Sequence, residues 1–285
     1  AVERTFAVDP LDRPETKNRL KQNLYALLSD ATGQYLPWGT LTGIRPTKIP
    51  MKLLEEGWKN TEIARYMRET YGVSNEKTAL AITIANREKA LLQDLDYENG
   101  YSLYVGIPFC PSICLYCSFG SHPLERWTKR VDEYLDTLCK ELTFIREQMG
   151  ARKLTTVYIG GGTPTTLEPE QLRRLLSHIQ ETFDFTWVKE YTVEAGRPDS
   201  ITREKLQVMK EFPVTRISVN PQTMNQKTLD VIGRKHTVED TVNIFHMARE
   251  LEFDNINMDL IIGLPGEGKE EVAHTLQEVE KLHPD

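Results

Sequence analysis

From Tyr101 onward the chain alternates short apolar runs with longer stretches of helical periodicity. The apolar runs read "SLYVGI", "LTTVYIG", "EYTVEA", "VTRISVN" and "INMDLIIG". The stretches of helical periodicity lie near residues 125–149, 168–183, 202–211, 237–251 and 268–282. Strand and helix alternating in this order predict right-handed βαβ units and a parallel sheet, which places this part of the chain in the α/β class.

Five strand–helix units in a row favour a (β/α) parallel barrel or part of one. Because a closed barrel of this kind needs eight strands, five strands predict a partial barrel. The chain stops at "KLHPD", where a sixth strand is expected to begin, so we expect the C-terminal part of the barrel to be truncated. A doubly wound open sheet is the competing architecture, and it is less favoured because no G-x-G-x-x-G follows the first strand.

The region before the alternation reads as helical, and it has no strand-like runs. Leucines at positions 20, 24, 27 and 28 recur at helical spacing in "PETKNRLKQNLYALLSD". A short helix in "TKIPMKLLEEG" is expected to be interrupted by Pro50 and stopped by Gly57, and two further helices follow. The sequence therefore predicts an N-terminal helical region over residues 1–98 and the barrel over residues 99–285.

Composition narrows the classes of partner and compartment. The net charge is −7 and there is no long basic run, so we expect no general affinity for nucleic acid or for an anionic membrane. No apolar stretch approaches the roughly 18–20 residues of a membrane helix. Four cysteines in 285 residues do not form a disulfide scaffold, which favours a cytoplasmic protein whose clustered cysteines bind metal or are redox-active.

Three of the four cysteines lie in "YVGIPFCPSICLYCSFG", as Cys110, Cys114 and Cys117, with the spacing C-x3-C-x2-C. Thiolates are soft ligands that suit zinc and iron–sulfur clusters. A structural zinc site needs four protein ligands, and His122 could complete a Cys3His set. The fourth cysteine, Cys139, lies on a predicted helix and reads as a small buried hydrophobe. An iron–sulfur cluster held by three thiolates keeps one open iron position, which favours chemistry there.

The polar and glycine-rich features follow the predicted strands. The cysteines follow the first strand, "GGGTP" follows the second and Glu194 ends the third. "NPQ" follows the fourth strand, and Asp259 with "GLPGE" ends the fifth. Because the carboxyl ends of parallel strands meet at one edge, and active sites of α/β barrels lie at that edge, these features predict one site.

C-x3-C-x2-C after the first strand of such a barrel resembles the radical S-adenosylmethionine (SAM) superfamily. "YVGIPFCPSICLYCSF" resembles the signature of the oxygen-independent coproporphyrinogen III oxidase group, and "WGTLTGIRPTKI" and "TVEAGRPDSI" resemble its HemZ branch. The resemblance implies two cofactors, a [4Fe–4S] cluster and SAM. It implies that Cys110, Cys114 and Cys117 hold three irons, while the amino and carboxylate groups of SAM chelate the fourth.

The resemblance also implies a set of SAM-binding residues. Tyr116 matches an aromatic whose backbone meets the adenine, and Tyr104 matches a tyrosine near the sulfonium end. The loop expected to receive the SAM amino group comprises Gly161, Gly162 and Thr163. The remaining matched positions are Glu194, Gln222, Arg234 and Asp259. Carboxylates and an amide suit hydroxyl and ammonium groups, and a guanidinium suits a carboxylate.

By resemblance, reduced cluster and SAM generate a 5′-deoxyadenosyl radical that abstracts hydrogen from a propionate of coproporphyrinogen III. Loss of carbon dioxide and of one electron, which an electron acceptor takes up, then leaves a vinyl group, a step of anaerobic haem (porphyrin) biosynthesis. The implied partners are this tetrapyrrole and an electron donor such as flavodoxin or ferredoxin. Arg197 and Arg45 are candidates for binding propionate, although a surface charge or a structural ion pair explains either equally well.

The sequence departs from the oxidases at one position. Gly106, four residues before Cys110, stands where the family's coproporphyrinogen oxidases commonly carry a histidine. Relatives of this group bind haem without oxidase activity, so a haem-binding chaperone remains an alternative. A second alternative is a protein with a structural zinc ion at the cysteines.

Overall fold

The computed structural model describes residues 3–93, 95–96 and 98–285. The chain forms two compact units, Ala1–Leu95 and Asp96–Asp285. The boundary predicted from the sequence, between residues 98 and 99, falls a few residues further along the chain.

The N-terminal unit is helical, as predicted. Its helices are α1 (Arg13–Thr32), α2 (Lys48–Glu55), α3 (Asn60–Tyr71) and α4 (Asn75–Leu92). Ile63, Met67, Ala81 and Ala85 are fully buried and form the centre of a small core. The expected interruption at Pro50 is wrong, because Pro50 lies in the first turn of α2, where a backbone N–H has no partner within the helix.

Helix α1 buries little of its surface. Its leucines Leu20, Leu24 and Leu28 are each more than half exposed, and its buried residue is Ser29. The helix ends at Gly33, whose left-handed conformation (φ 68°) allows its N–H to bond the carbonyl of Ser29. Local capping therefore defines this helix more than apolar burial does.

The second unit is built on a five-stranded parallel sheet. Its strands are β1 (Gly100–Ile107), β4 (Lys153–Gly161), β5 (Glu190–Gly196), β6 (Arg216–Val219) and β7 (Ile256–Asn257). They lie in the order β1-β4-β5-β6-β7, so each strand pairs with the one before it in this series. A doubly wound sheet would reverse its order at a switch point, whereas this sequential order is that of a barrel wall.

The helices that follow the strands lie in the predicted periodic stretches, with the exception of α9. They are α5 (Leu124–Trp127), α6 (Val131–Met149), α7 (Pro169–Thr182), α8 (Arg203–Lys210), α9 (Gln226–Val231), α10 (Val238–Glu250) and α11 (Lys269–Leu282). Ile107, Ile159, Val193 and Ile217 are fully buried on successive strands of the sheet. The apolar runs therefore form the core that holds the strand ends in place.

Three local features differ from the sequence prediction. The helix expected over 125–149 is split into α5 and α6 by a 3-10 turn, and two two-residue strands, β2 (Phe109–Cys110) and β3 (His122–Pro123), pair in parallel beside it. Helix α9 was not predicted. Strand β7 is shorter than "INMDLIIG", because the N–H of Asp259 donates to the Asn220 side chain instead of continuing the ladder.

No helix formed by the described residues has the length and apolar character needed to span a membrane.

Candidate functional site

A cavity of about 140 Å³ lies at the carboxyl edge of the sheet. Every site residue predicted from the sequence lines it except Tyr104. These lining residues are Cys110, Cys114, Tyr116, Cys117, Gly161, Gly162, Thr163, Glu194, Gln222, Arg234 and Asp259. They come from six separate segments of the chain, which the parallel sheet brings together at one end.

The cysteine loop is held in place by backbone and side-chain hydrogen bonds. The N–H of Thr163 donates to the carbonyl of Phe109 (2.8 Å), and the N–H of Leu115 donates to the carbonyl of Ile232 (3.0 Å). The hydroxyl of Thr163 donates to Cys110 Sγ (3.5 Å). Cys110 and Cys114 are buried and Cys117 is partly exposed. The loop is thus ordered by its neighbours, with its thiols facing one cavity.

The thiols are not arranged for a single metal ion. Within residues 3–93, 95–96 and 98–285, no three or more His, Cys, Asp or Glu side chains are placed to hold one ion. His122, the possible fourth zinc ligand, is exposed and its ring lies 5.1 Å from the ring of Trp127, outside the cavity. A [4Fe–4S] cluster fits this donor set, because each thiolate binds a different iron and the sulfurs need not converge.

The glycine loop approaches the cysteines too closely for a side chain. A Cβ on Gly162 would lie 2.7 Å from the Phe109 carbonyl oxygen and 3.0 Å from Cys110 Sγ. Gly161 has a φ of 104°, which L side chains rarely adopt. The two glycines therefore let backbone N–H and carbonyl groups line the cavity directly beside the thiols, as the predicted SAM loop requires.

Glu194 is oriented by a tyrosine that sequence reasoning missed. The hydroxyl of Tyr158 donates a short hydrogen bond to Glu194 Oε1. Burial raises the pKa of Glu194 above its usual value, and the nearby Asp259 carboxylate adds to that shift. Tyr104 stacks on Tyr158 with ring centroids 5.8 Å apart, and it is 62% exposed. Tyr104 thus lies one ring away from Glu194, outside the cavity wall.

Two lining side chains keep buried polar atoms without a protein partner among the described residues. These atoms are Gln222 Oε1 and Arg234 Nε. Arg234 Nη1 donates to the Asn220 carbonyl (2.6 Å) and its Nη2 donates to the hydroxyl of Tyr116 (3.1 Å). Because a buried polar atom without a partner costs free energy, such atoms at a cavity indicate a polar ligand.

Burial raises the pKa of Tyr116 to about 12, so its phenol stays neutral beside the guanidinium of Arg234. The Tyr116 oxygen can accept the Arg234 hydrogen bond while keeping its own proton to donate.

Asn220 is a second residue that sequence reasoning missed. Its Nδ2 donates to Asp259 Oδ2 (3.1 Å), and its Oδ1 accepts from the N–H of Asp259 (3.1 Å). Asn257 Nδ2 donates to the other carboxylate oxygen of Asp259 (2.7 Å). Asn220 opens the "NPQ" segment after the fourth strand, so its position at the strand end was the available signal.

The remaining candidates lie apart from the cavity or are already paired. Arg197 lines the cavity but is 2% exposed and forms an ion pair with Asp199 (2.7 Å). The structure therefore shows the ion pair that the sequence left open for Arg197, and propionate binding by this residue stays a prediction. Arg45 is exposed in the N-terminal unit. Cys139 lies on α6 outside the cavity and is only partly buried, with a thiol pKa raised by burial.

Comparison with known proteins identifies the family. Residues 104–279 match the radical SAM superfamily. The chain belongs to the radical SAM superfamily. The cofactors of this superfamily are a [4Fe–4S] cluster and SAM, in agreement with the sequence prediction and with the donor set of the cavity. The roles of the individual lining residues remain predictions.

Within this superfamily, the chain is similar to proteins of the oxygen-independent coproporphyrinogen III oxidase group, including a HemZ protein. It is 42% identical over 275 residues to the oxygen-independent coproporphyrinogen-III oxidase-like protein HemZ of Bacillus subtilis, covering 95% of this chain and 55% of that protein. It is 40% identical over 176 residues to the heme chaperone HemW of the same organism, covering 61% of this chain and 46% of HemW.

A solved structure agrees with this assignment. Coproporphyrinogen III oxidase (HemN) from Escherichia coli, a radical SAM enzyme, superposes with a TM-score of 0.61 at 32% identity, covering 69% of this chain and 45% of HemN. The chain spans about half the length of the curated relatives it matches.

Proposed function

We propose that this chain forms the cofactor-binding part of a coproporphyrinogen dehydrogenase of the oxygen-independent type. The reaction is oxidative decarboxylation of coproporphyrinogen III propionates to vinyl groups in anaerobic haem biosynthesis. One observation carries the proposal: a single cavity is lined by three thiols, by two closely packed glycines and by two side chains that each keep a buried polar atom without a partner among the described residues. The oxygen-independent coproporphyrinogen III oxidase of Escherichia coli, 31% identical over 237 residues, supports the reaction class.

Cys110, Cys114 and Cys117 are the proposed ligands of three irons, and the fourth iron is left for the amino and carboxylate groups of SAM. When bound, the reduced cluster and SAM supply radical chemistry by one-electron cleavage of the sulfonium C–S bond. The chain keeps two of the three thiols buried, which limits the access of water to the cluster.

The polar lining is proposed to orient SAM. Gly161, Gly162 and Thr163 present backbone groups to its amino group. The free Nε of Arg234 suits its carboxylate, and the unpartnered Oε1 of Gln222 suits an N–H or hydroxyl donor.

The two carboxylates complete the proposed SAM set. Glu194 accepts the Tyr158 hydroxyl at one oxygen, which leaves its second oxygen for a ligand donor. Asp259 is held by Asn220 and Asn257 at its two oxygens, so its carboxylate is fixed in direction before any ligand arrives. Tyr104 and Tyr116 are proposed to flank the sulfonium and adenine ends.

The proposed partners are a tetrapyrrole substrate and an electron donor such as flavodoxin or ferredoxin, in the cytoplasm, with neither nucleic acid nor membrane as a partner. Arg45 remains a candidate for binding a propionate, since it is exposed and carries a permanent charge.

Haem carriage is the second candidate, and Gly106 favours it. A Cβ on Gly106 would meet the Tyr104 ring at 3.6 Å, an ordinary contact, so packing does not demand glycine here. The absence of the family histidine is therefore a chemical difference and not a steric one. The similarity to heme chaperone HemW is compatible with this alternative.

Anaerobic reconstitution with iron and sulfide, followed by SAM and a reductant, tests the proposal. We expect a brown protein that forms 5′-deoxyadenosine. A well-loaded protein that leaves SAM intact would contradict the radical mechanism. Incubation of the full-length protein with coproporphyrinogen III, and separately with haem, then distinguishes the candidates: a vinyl product supports the dehydrogenase, and stable haem binding without a vinyl product supports the chaperone.

A further inference from the structure

Arg197 lines the cavity and contacts the cysteine loop, although it is distant from that loop in sequence. Its Nη1 donates to the carbonyl of Ser112 (2.8 Å) and to the Ser112 hydroxyl (2.9 Å). The same nitrogen lies 3.8 Å from Cys114 Sγ, within hydrogen-bonding range of a sulfur acceptor. A buried cation therefore lies against a proposed cluster ligand.

Asp199 fixes the opposite side of the guanidinium. Arg197 Nε donates to Asp199 Oδ1 (3.0 Å) and Nη2 donates to Oδ2 (2.7 Å), while the two side chains are 3% and 17% exposed. An arginine side chain keeps its proton in proteins. The guanidinium is thus charged and held in one plane, with one edge aimed at the cysteine loop.

We propose that Arg197 is a positioning residue that anchors the Cys114 segment and tunes the reduction potential of the cluster. The inference rests on the proposed function only through the assignment of Cys114 as a cluster ligand. It gives Arg197 a role toward the cofactor in place of the substrate role predicted from the sequence.

The physical reason is the effect of a donor and a positive charge on the cluster. Hydrogen bonds to cluster sulfurs and local charge both set the potential of an iron–sulfur centre. An N–H aimed at a thiolate, and a cation beside it, stabilise the more negative, reduced state in a buried site of low polarity. Removing them is expected to make the cluster harder to reduce.

The second effect is mechanical. Ser112 accepts from Arg197 through two oxygens, and its hydroxyl in turn donates to the carbonyl of Gly233 (3.0 Å), next to Arg234. Through Ser112, Arg197 therefore links the "CPSIC" segment by hydrogen bonds to the turn at Gly233, which precedes the proposed SAM-binding residue Arg234. Loss of these hydrogen bonds is expected to reduce the amount of iron–sulfur cluster that the protein retains.

The test compares Arg197→Gln and Arg197→Lys with Arg203→Gln, a control arginine that forms an exposed ion pair with Glu250. Iron and sulfide content and the midpoint potential, followed by electron paramagnetic resonance, are measured on the reconstituted protein. We expect Arg197→Gln to disfavour reduction by about tenfold in the equilibrium constant, about 59 mV for one electron. We expect Arg197→Lys, which keeps the charge, to show a smaller shift in the same direction, and Arg203→Gln none.

Asp199→Asn is expected to shift the midpoint potential of the cluster in the opposite direction. Without its counter-charge, the Arg197 cation acts more strongly on the cluster, so the potential is expected to become more positive. A merely structural role for the pair would not produce opposite shifts from its two members.

An unchanged potential and cluster content in Arg197→Gln would overturn the inference. If circular dichroism shows that Arg197→Gln does not fold, the potential of Arg197→Lys decides, and a value equal to that of the unaltered protein would overturn it as well. Failure of the unaltered protein to take up iron and sulfide would contradict the proposed function instead.

Discussion

The N-terminal helical unit and the α/β unit differ in where they bury polar groups. In the N-terminal unit the small core is apolar around Ile63 and Met67, and α1 leaves its leucines largely exposed. In the α/β unit a much larger apolar core supports an edge that holds charged and polar side chains in buried positions. The described residues whose buried side-chain atoms have no partner are mostly in this second unit: Tyr191, Ser218, Gln222, Arg234 and His236, against Thr78 in the first.

The difference indicates which unit carries the chemistry. A buried polar atom without a partner costs about 1–3 kcal/mol, so a fold keeps such atoms where another requirement outweighs stability. Gln222 and Arg234 line the cysteine cavity, where a ligand can complete their hydrogen bonds. The large core of the α/β unit offsets this cost.

The largest expected effect concerns the thiols of the α/β unit. Cys114→Ala removes one of the three proposed cluster ligands, and we expect it to abolish cluster loading, measured as iron and sulfide bound per chain. Cys139→Ala, which alters a thiol of the same unit outside the cavity, is expected to load normally. Normal loading of Cys114→Ala would show that the ligand assignment is wrong.

The contribution of apolar side chains to stability in the two units can be compared by replacing one such side chain in each unit with alanine. Ile159→Ala opens a cavity at a fully buried position of the sheet and is expected to lower the free energy of unfolding by about 2–5 kcal/mol. Leu24→Ala on α1, where the leucine is 53% exposed, is expected to cost less than about 0.5 kcal/mol. Denaturant unfolding of both variants measures the difference. Equal losses would mean that α1 buries its leucines in solution.

Acid is expected to destabilise the α/β unit through His236. Burial and the nearby charge of Arg234 lower the pKa of His236 to about 4, with Asp199, Arg197 and Asp240 also acting on it. Between about pH 6.5 and pH 4 the unfolded chain binds a proton that the folded chain does not, so stability falls as the pH falls. The loss reaches up to about 3 kcal/mol at pH 4.

Denaturant unfolding across this pH range measures the effect. His236→Leu should flatten the pH profile relative to the unaltered protein, and His246→Leu, at an exposed position on α10, is the matched control. A His236→Leu profile parallel to that of the unaltered protein would exclude this source of acid sensitivity.

The smallest expected change in stability comes from two residues with left-handed backbone conformations. Gln222 has a φ of 68° and Glu252, in the turn after α10, has a φ of 63°. Glycine relieves this strain but loses more entropy on folding, so each change to glycine should alter the free energy of unfolding by no more than about 1 kcal/mol. Calorimetric titration of the reconstituted protein should show weaker SAM binding only for Gln222→Gly. Equal SAM affinity in both variants would show that Gln222 does not take part in SAM binding.

Much of the architecture could be predicted from local patterns in the sequence. The apolar runs are strands because their residues are buried in the sheet, and the helix after "RKH" begins where Thr237 and Asp240 form a capping box, a pattern visible in the sequence. These features depend on neighbours a few residues apart. Strand β7 was overestimated because its end is decided by Asn220, a residue of the preceding strand segment.

By itself the sequence determined the α/β alternation, the family and a set of candidate residues with suitable chemistry, because periodicity and motif spacing are local properties. Only the tertiary structure decided that Tyr158 orients Glu194, and that Arg197 contacts Cys114. These partners lie 36 and 83 residues apart in the chain. Their hydrogen bonds exist because parallel strands bring distant segments to one edge, which no local pattern records.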